Sequence, residues 1–359
     1  MEGHGGYNRR SAVQASGASP ALAMLEQAAR ETVLPDGDAT IVVADYGSSA
    51  GRNSLAPMAR AIGVLRTRIG RERAISVVHT DLPGNDFTAL FQLLATDPGS
   101  YLRDDPAVYA SAVGRSFYET ILPPASVTLG WSAWAAQWLS RTPAAIPDHV
   151  QVACSKDEAV GAAYARQAAQ DWETFLTCRS RELRPGGRLV VLTMARTDAG
   201  DFGYHAVLAA MDDSLRALVA EGLVRPEEAA RMAIPTVGRT RAEFVAPFAA
   251  GSFAGLVLER LEIFEGEDRI WQDFARDGDA AAFGRRWAAF SRASVLPTLA
   301  RDLSGGAEAT RAAEFVARME AGMAARLAAA PEPTLMPLAA LVLARRGDGP
   351  AAIQASVSA

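Results

Sequence analysis

Two patterns of apolar residues alternate along this chain: short runs in which neighbouring positions are all apolar, and longer stretches in which apolar residues return every three or four positions. Residues 39–44 (ATIVVA), 74–79 (AISVVH), 125–130 (ASVTLG) and 188–195 (RLVVLTMA) are runs of the first kind. A strand that is apolar on both faces needs cover on both, so these four predict parallel strands buried between helix layers. Helical spacing fills the intervals: residues 20–32, the stretch after the 46–51 Gly/Ser cluster as far as Ile69, and residues 87–94. A further helix has its core face marked by Val160, Tyr164, Ala168, Trp172, Phe175 and Leu176. Residues 206–330 read as mostly helical, broken at Ile234-Pro235 and Gly251-Ser252, with a strand at 256–262. The last run, 335–344, predicts a closing strand that Pro337 confines to a sheet edge or to its own first position. Strands alternating with helices make the fold α/β.

Composition removes several functions. With 49% apolar and 21% charged residues, the 359-residue chain has material for a large core. A net charge of −5 without a long Lys/Arg block lacks the electrostatic footprint of a nucleic-acid binder. The opening residues do not form a secretory signal, and no stretch offers about 18 uninterrupted apolar residues, so a cytoplasmic protein that does not engage the membrane is expected. Cys154 and Cys178 are too far apart for a CxxC pair, and His4, His79, His149 and His205 fit no metal-ligand spacing, so no metal is expected.

Candidate chemistry gathers at the strand ends. The first strand runs into Asp45-x-Gly47-x-x-x-Gly51, a Gly-containing turn that opens a helix and suits a nucleoside-bearing cofactor at the carboxyl edge of a parallel sheet. Its spacing is not the GxGxxG of a dinucleotide site. Asp81 follows the second strand, where an acid accepts ribose hydroxyls; the alternative is that it caps the helix after the Leu82-Pro83-Gly84-Asn85 turn. Leu183-Arg184-Pro185-Gly186-Gly187-Arg188 reads as a helix end, a turn and a strand start.

Taken in order, Tyr7-x-x-x-Ser11-x-x-Gln14 and the blocks 45–53 (DYGSSAGRN), 81–87 (DLPGNDF), 114–118 (GRSFY), 138–140 (WLS) and 175–196 resemble the SABATH family of S-adenosylmethionine-dependent carboxyl and N-methyltransferases. The 81–87 block is the most specific of them. Glu221-Gly222-Leu223, Ile234-Pro235 and Gly251-Ser252-Phe253 extend the likeness downstream. The resemblance implies a class I methyltransferase (Rossmann-like) fold, with a mainly parallel sheet, helices on both faces and an α-helical cap. Residues 1–19 become an arm closing over the active site, 20–205 and 256–346 the S-adenosylmethionine-binding α/β domain, and 206–255 with 265–330 the cap over the substrate pocket. It also implies a homodimer.

By the same resemblance, Asp45 and Asn53 hold the methionine moiety of S-adenosylmethionine, with Ser11 near that end, Gly47 in the loop between them and Tyr7 helping to close the arm. Asp81 and Leu82 bind the adenosine, Asp81 on the ribose, while Ser116 and Phe117 frame the adenine. Gln14 and Trp138 match positions that donate a side-chain amide and an indole N–H to the substrate carboxylate. Trp134, Gln137, Val207, Leu208, Val237 and Met336 complete the substrate pocket. Phe117 and Trp138 keep a plainer alternative as packed core aromatics. Three departures stand out: Trp134 where the family usually has Tyr, Gln137 where it often has His or Met, and Glu2 near where carboxyl methyltransferases can place Lys. The implied reaction is methyl transfer to the carboxylate of a small organic acid, which needs no general base because that group is already ionised. A ring-nitrogen acceptor such as a xanthine, a non-catalytic S-adenosylmethionine sensor and an NAD-dependent oxidoreductase are the alternatives.

Overall fold

The computed structural model describes residues 19–303 and 308–347, so Tyr7, Ser11 and Gln14 lie outside the described residues. The chain runs α1 (Ser19–Glu31), β1 (Ile41–Tyr46), α2 (Leu55–Ile69), β2 (Ile75–Asp81), α3 (Phe87–Thr96), β3 (Val108–Gly114), β4 (Val127–Ala133), α4 (Glu158–Glu182) and β5 (Leu183–Met194). There follow α5 (His205–Ala220), α6 (Pro226–Ala229), α7 (Arg241–Val245), β6 (Leu256–Glu265), α8 (Arg269–Asp277), α9 (Ala280–Ser294), α10 (Leu296–Leu299), α11 (Glu308–Ala329) and β7 (Pro337–Arg345).

The seven strands form one sheet in the order β3-β2-β1-β4-β5-β7-β6. The first five are parallel, and β7 runs antiparallel to both β5 and β6. Alternate residues of each central strand enter opposite cores. Ile41, Val43, Ile75, Val77, Leu338 and Ala340 pack with α1, α2 and α3, through residues such as Met24, Met58 and Leu90. Ala44, Tyr46, Ala339 and Leu341 pack on the other face with Trp172, Phe175 and Leu176 of α4. Double burial is why these strands read as continuous apolar runs. A separate apolar core joins α5, α8, α9, α10 and α11, with Trp287, Phe315, Met319 and Met323 fully buried.

Pro337 takes the first position of β7, where its missing N–H costs no ladder bond, while its carbonyl accepts from Ala195 N at 2.9 Å. The strand itself lies inside the sheet. The 185–187 turn persists as an irregularity within β5: Gly186 has φ +76°, and the register slips between Val127 and Leu129. One strand goes beyond the sequence reading. β3 is an edge strand whose Tyr109 is 60% exposed, so its alternation of half-buried residues offers no apolar run. Among the described residues no helix is long and apolar enough to cross a membrane, and no three His, Cys, Asp or Glu side chains are grouped to hold a metal ion.

Candidate functional site

Chain order moves outward through β1, β2 and β3 on one side and β4, β5 on the other, so the crevice of this sheet opens at the carboxyl ends of β1 and β4. Two loops interlock there. The N–H groups of Gly47 and Ser48 donate to Thr80 O at 2.8 and 3.0 Å. Ser49 N donates to Asp81 Oδ2 at 2.8 Å, and Asn85 Nδ2 returns a bond to Ser49 O at 2.8 Å. Gly47 has φ +88°, and a Cβ on it would lie 2.6 Å from Ala135 Cβ, so this position needs glycine on both counts.

Asp81 does not cap the following helix. Asp86 does, accepting from Ala89 N at 2.9 Å, while the second oxygen of Asp81 accepts from Leu82 N at 2.8 Å. With one N–H on each oxygen, the carboxylate keeps lone pairs for further donors. Burial pushes its pKa up, and the two backbone donors pull against that. Asp45 is placed differently: it is 2% exposed, and its Oδ2 lies 2.9 Å from His79 Nδ1, whose Nε2 is 2.7 Å from the Tyr101 hydroxyl.

At the end of β4 the chain turns through Trp134, which has φ +57° and donates its N–H to Leu192 O at 2.9 Å. Gln137 holds that turn: its Nε2 donates to Trp134 O at 2.7 Å and its Oε1 accepts from the Thr193 hydroxyl at 3.0 Å. Trp138 is half-buried with its backbone fixed on both sides, its N–H on Ala135 O at 3.0 Å and its carbonyl accepting from the Tyr118 hydroxyl. Its indole N–H makes no hydrogen bond among the described residues. Buried Arg239 ties the same turn to α4, donating to Ala136 O at 2.6 Å and Ala168 O at 3.0 Å.

Ser116 and Phe117 follow β3 in a loop gripped by α4. Arg179 donates to Phe117 O and Glu119 O, each at 2.7 Å. Glu182 accepts from Ile121 N, Leu122 N and, at 2.7 Å, the Tyr46 hydroxyl. The two side chains pair at 2.8 Å with no exposure, and the guanidinium stacks 4.4 Å from the Tyr46 ring. Arg179 and Glu182 lie within the 175–196 block, but only the fold shows that they face the loop after β3.

These elements enclose a cavity of about 420 Å³, within the range of small-molecule sites. Of the sequence candidates, Gly47, Asp81, Leu82, Ser116, Phe117, Trp134, Gln137, Trp138, Val207 and Leu208 line it. Asp45 and Asn53 do not: Asp45 is turned to His79, and Asn53 is half-buried on the short turn Arg52–Ser54. Val237 and Met336 do not line it either. Val237 packs with Leu139 and Tyr164, and Met336 belongs to the helical core. Residues not anticipated in the lining include Ser49, Tyr118, Gln151, Met194, Phe202, Tyr204, Met211 and Thr236. Ser49, Tyr118 and Met194 lie within the sequence blocks, but the others come from separate elements that no local pattern announces.

A family model described as SAM dependent carboxyl methyltransferase matches residues 2–341. The chain is 29% identical over 262 residues to salicylate carboxymethyltransferase of Clarkia breweri, covering 69% of this chain and 70% of that protein. It is 31% identical over 319 residues to indole-3-acetate O-methyltransferase 1 of Oryza sativa subsp. japonica, covering 80% and 78%. Among solved structures it is similar to loganic acid methyltransferase with SAH, with a TM-score of 0.75 and 19% identity over 97% of this chain and 98% of that one. At that identity the last likeness concerns the fold alone.

Proposed function

Because the chain belongs to the S-adenosylmethionine-dependent carboxyl methyltransferase family, we propose that its cavity brings S-adenosylmethionine and a small carboxylic acid together to form a methyl ester. The observation that carries this reading is that Asp81 and Trp138 border one cavity. The first is an acceptor with lone pairs to spare, the second a donor without a partner among the described residues. The residues suit the ligand in another way: Gly47 and Ser49, on the loop that Asp81 holds, line the same cavity.

Asp81 would hold the ribose hydroxyls, Leu82, Ser116 and Phe117 the adenine end, and the Gly47–Ser49 loop the remainder. When bound, S-adenosylmethionine supplies a methyl group on a positively charged sulfur; the carboxylate oxygen gives the electron pair of the new C–O bond, and the S–C pair stays on sulfur. No proton moves, so no general base is required. The chain's task is placement, with the Trp138 N–H on one carboxylate oxygen and, as a further proposal, Gln14 on the acid as well. Trp134 offers a ring face to the cationic sulfur. Met194, Phe202, Val207, Leu208 and Met211 make the neighbouring wall apolar and keep water from competing for the two opposite charges. The helices over the sheet would thus act as a cap, and we extend the proposal to a homodimer in the cytoplasm, tested by sedimentation equilibrium and by cell fractionation.

The test is mass spectrometry of protein incubated with S-adenosylmethionine and a panel of small carboxylic acids and xanthines. A methyl ester with matching S-adenosylhomocysteine supports the reading. An N-methyl product, or no product from any acid although the cofactor binds, counts against it.

A further inference from the structure

Two guanidinium groups on the cavity wall have no part in the chemistry above. Arg141 donates its Nε to Gln167 Oε1 at 2.7 Å, and its two terminal nitrogens have no partner among the described residues. Arg301 has neither a hydrogen bond nor an ion pair among those residues, although it lies close enough to the Asp302 carboxylate to stabilise its charge. Other arginines are matched with acids, as in Arg188 with Glu259, Arg196 with Glu243 and Arg311 with Glu228, or donate to carbonyls, as Arg239 does. Arg141 and Arg301 are both solvent-exposed, and each keeps N–H groups without a partner among the described residues on the wall of a ligand cavity.

Arg301 also ends a row. Ser291, Ser294 and Thr298 precede it at spacings of three and four, and all of them line the cavity. Ser291 and Ser294 spend their protons on the helix, donating to Trp287 O at 3.3 Å and Phe290 O at 2.8 Å. Their oxygens remain available as acceptors. The wall carried by α9, α10 and the turn after them thus sets a polar row with a cation at its end beside Phe290 and Val295, whereas Val207, Leu208 and Met211 of α5 are apolar.

Resting on the carboxyl methyltransferase reading, we propose that Arg301 and Arg141 form an anion subsite for a second acidic group of the methyl acceptor. The preferred substrate is then an acid with two anionic groups, esterified at the one held by Trp138. Chemistry favours this division of labour. A guanidinium paired with the reacting carboxylate would draw charge from the attacking oxygen, whereas the neutral indole N–H orients it and leaves it nucleophilic. The second anion does not react and gains from full pairing. Local cations also offset the weak long-range repulsion of a dianion by a protein of net charge −5.

Matched pairs test the inference: α,ω-dicarboxylates of increasing length against monocarboxylates of the same length, and terephthalate against benzoate. kcat/KM is followed by S-adenosylhomocysteine release, with products identified by mass. The diacids should be preferred by about tenfold, the size of one charge-assisted hydrogen bond, with only the monoester formed. That preference should shrink as ionic strength rises. Arg301→Ala and Arg141→Ala should each lower the diacid-to-monoacid ratio, chiefly through KM, and Arg301→Lys should restore part of it. Equal turnover of both classes, or a ratio unmoved in both alanine variants, overturns the subsite and leaves the carboxyl methyltransferase reading intact. Turnover of neither class while S-adenosylhomocysteine still binds overturns that reading and the subsite with it.

Discussion

The proposed chemistry rests on a few side chains whose surroundings set their state. Burial raises the pKa of Asp81, so the folded protein takes up this proton at a higher pH than the unfolded chain does. Between the ordinary and the raised value the folded state binds more protons, and the contribution of this group to stability falls as pH rises. In the proposed site, ribose binding would run the other way, because it would use the ionised acceptor. Affinity for S-adenosylhomocysteine should therefore fall on acidification at a higher pH than an ordinary aspartate would give. Asp81→Asn should cost at least about tenfold in affinity at neutral pH, from one lost charged hydrogen bond, and flatten that pH dependence; calorimetric titration across pH checks both. For Trp138, replacement by Phe keeps the ring and removes only the donor. kcat/KM for the acid should fall about tenfold, with cofactor affinity within about twofold of the parent, as steady-state kinetics and the same titration would reveal. The blocks that hold both residues are visible in the sequence, but their surroundings are not: neither the two N–H groups on Asp81 nor the indole of Trp138, without a partner among the described residues, follows from spacing.

At the scale of elements, function depends on how loops are held. The strand-to-helix turn after β1 requires Gly47, so Gly47→Ala should destabilise by about 1–2 kcal/mol for the left-handed backbone alone. The 2.6 Å approach to Ala135 Cβ adds to this, and cofactor affinity should fall further than stability does. Urea unfolding and ligand titration on the same preparation separate the two effects. The loop carrying Ser116 and Phe117 depends on the Arg179–Glu182 pair, which is fully buried. Glu182→Gln leaves the Arg179 charge without its counter-ion, and such a change costs about 3–5 kcal/mol in a dry interior. Urea unfolding should register a loss of that order; a change below 1 kcal/mol would mean that water reaches the pair. From the sequence, α4 declares its apolar stripe, yet its buried polar edge, formed by Gln167, Asp171, Arg179 and Glu182, is written in residues that usually mark a solvated face.

For the whole molecule, the sheet edge and the helices above it share one cavity, so a ligand that fills it should tie both parts together. Saturation with S-adenosylhomocysteine at 100 times its Kd should add about 2.7 kcal/mol to stability and raise Tm by a few degrees, and differential scanning calorimetry would record it as a single cooperative shift. Two separate transitions, only one of them moved by ligand, would show that sheet and helices unfold independently. The sequence by itself determined the α/β class, the doubly covered parallel strands and the loops that carry Gly47 and Asp81. Each of these is a local matter, a period of burial or a backbone angle that the residue type meets or fails. Tertiary structure alone decided that β3 forms the sheet edge, that Asp45 pairs with His79, that Val237 and Met336 pack in neighbouring cores, and that Arg141 and Arg301 reach the same cavity. Those outcomes depend on contacts between residues far apart in the chain, and a contact of that kind leaves no period in the sequence to read.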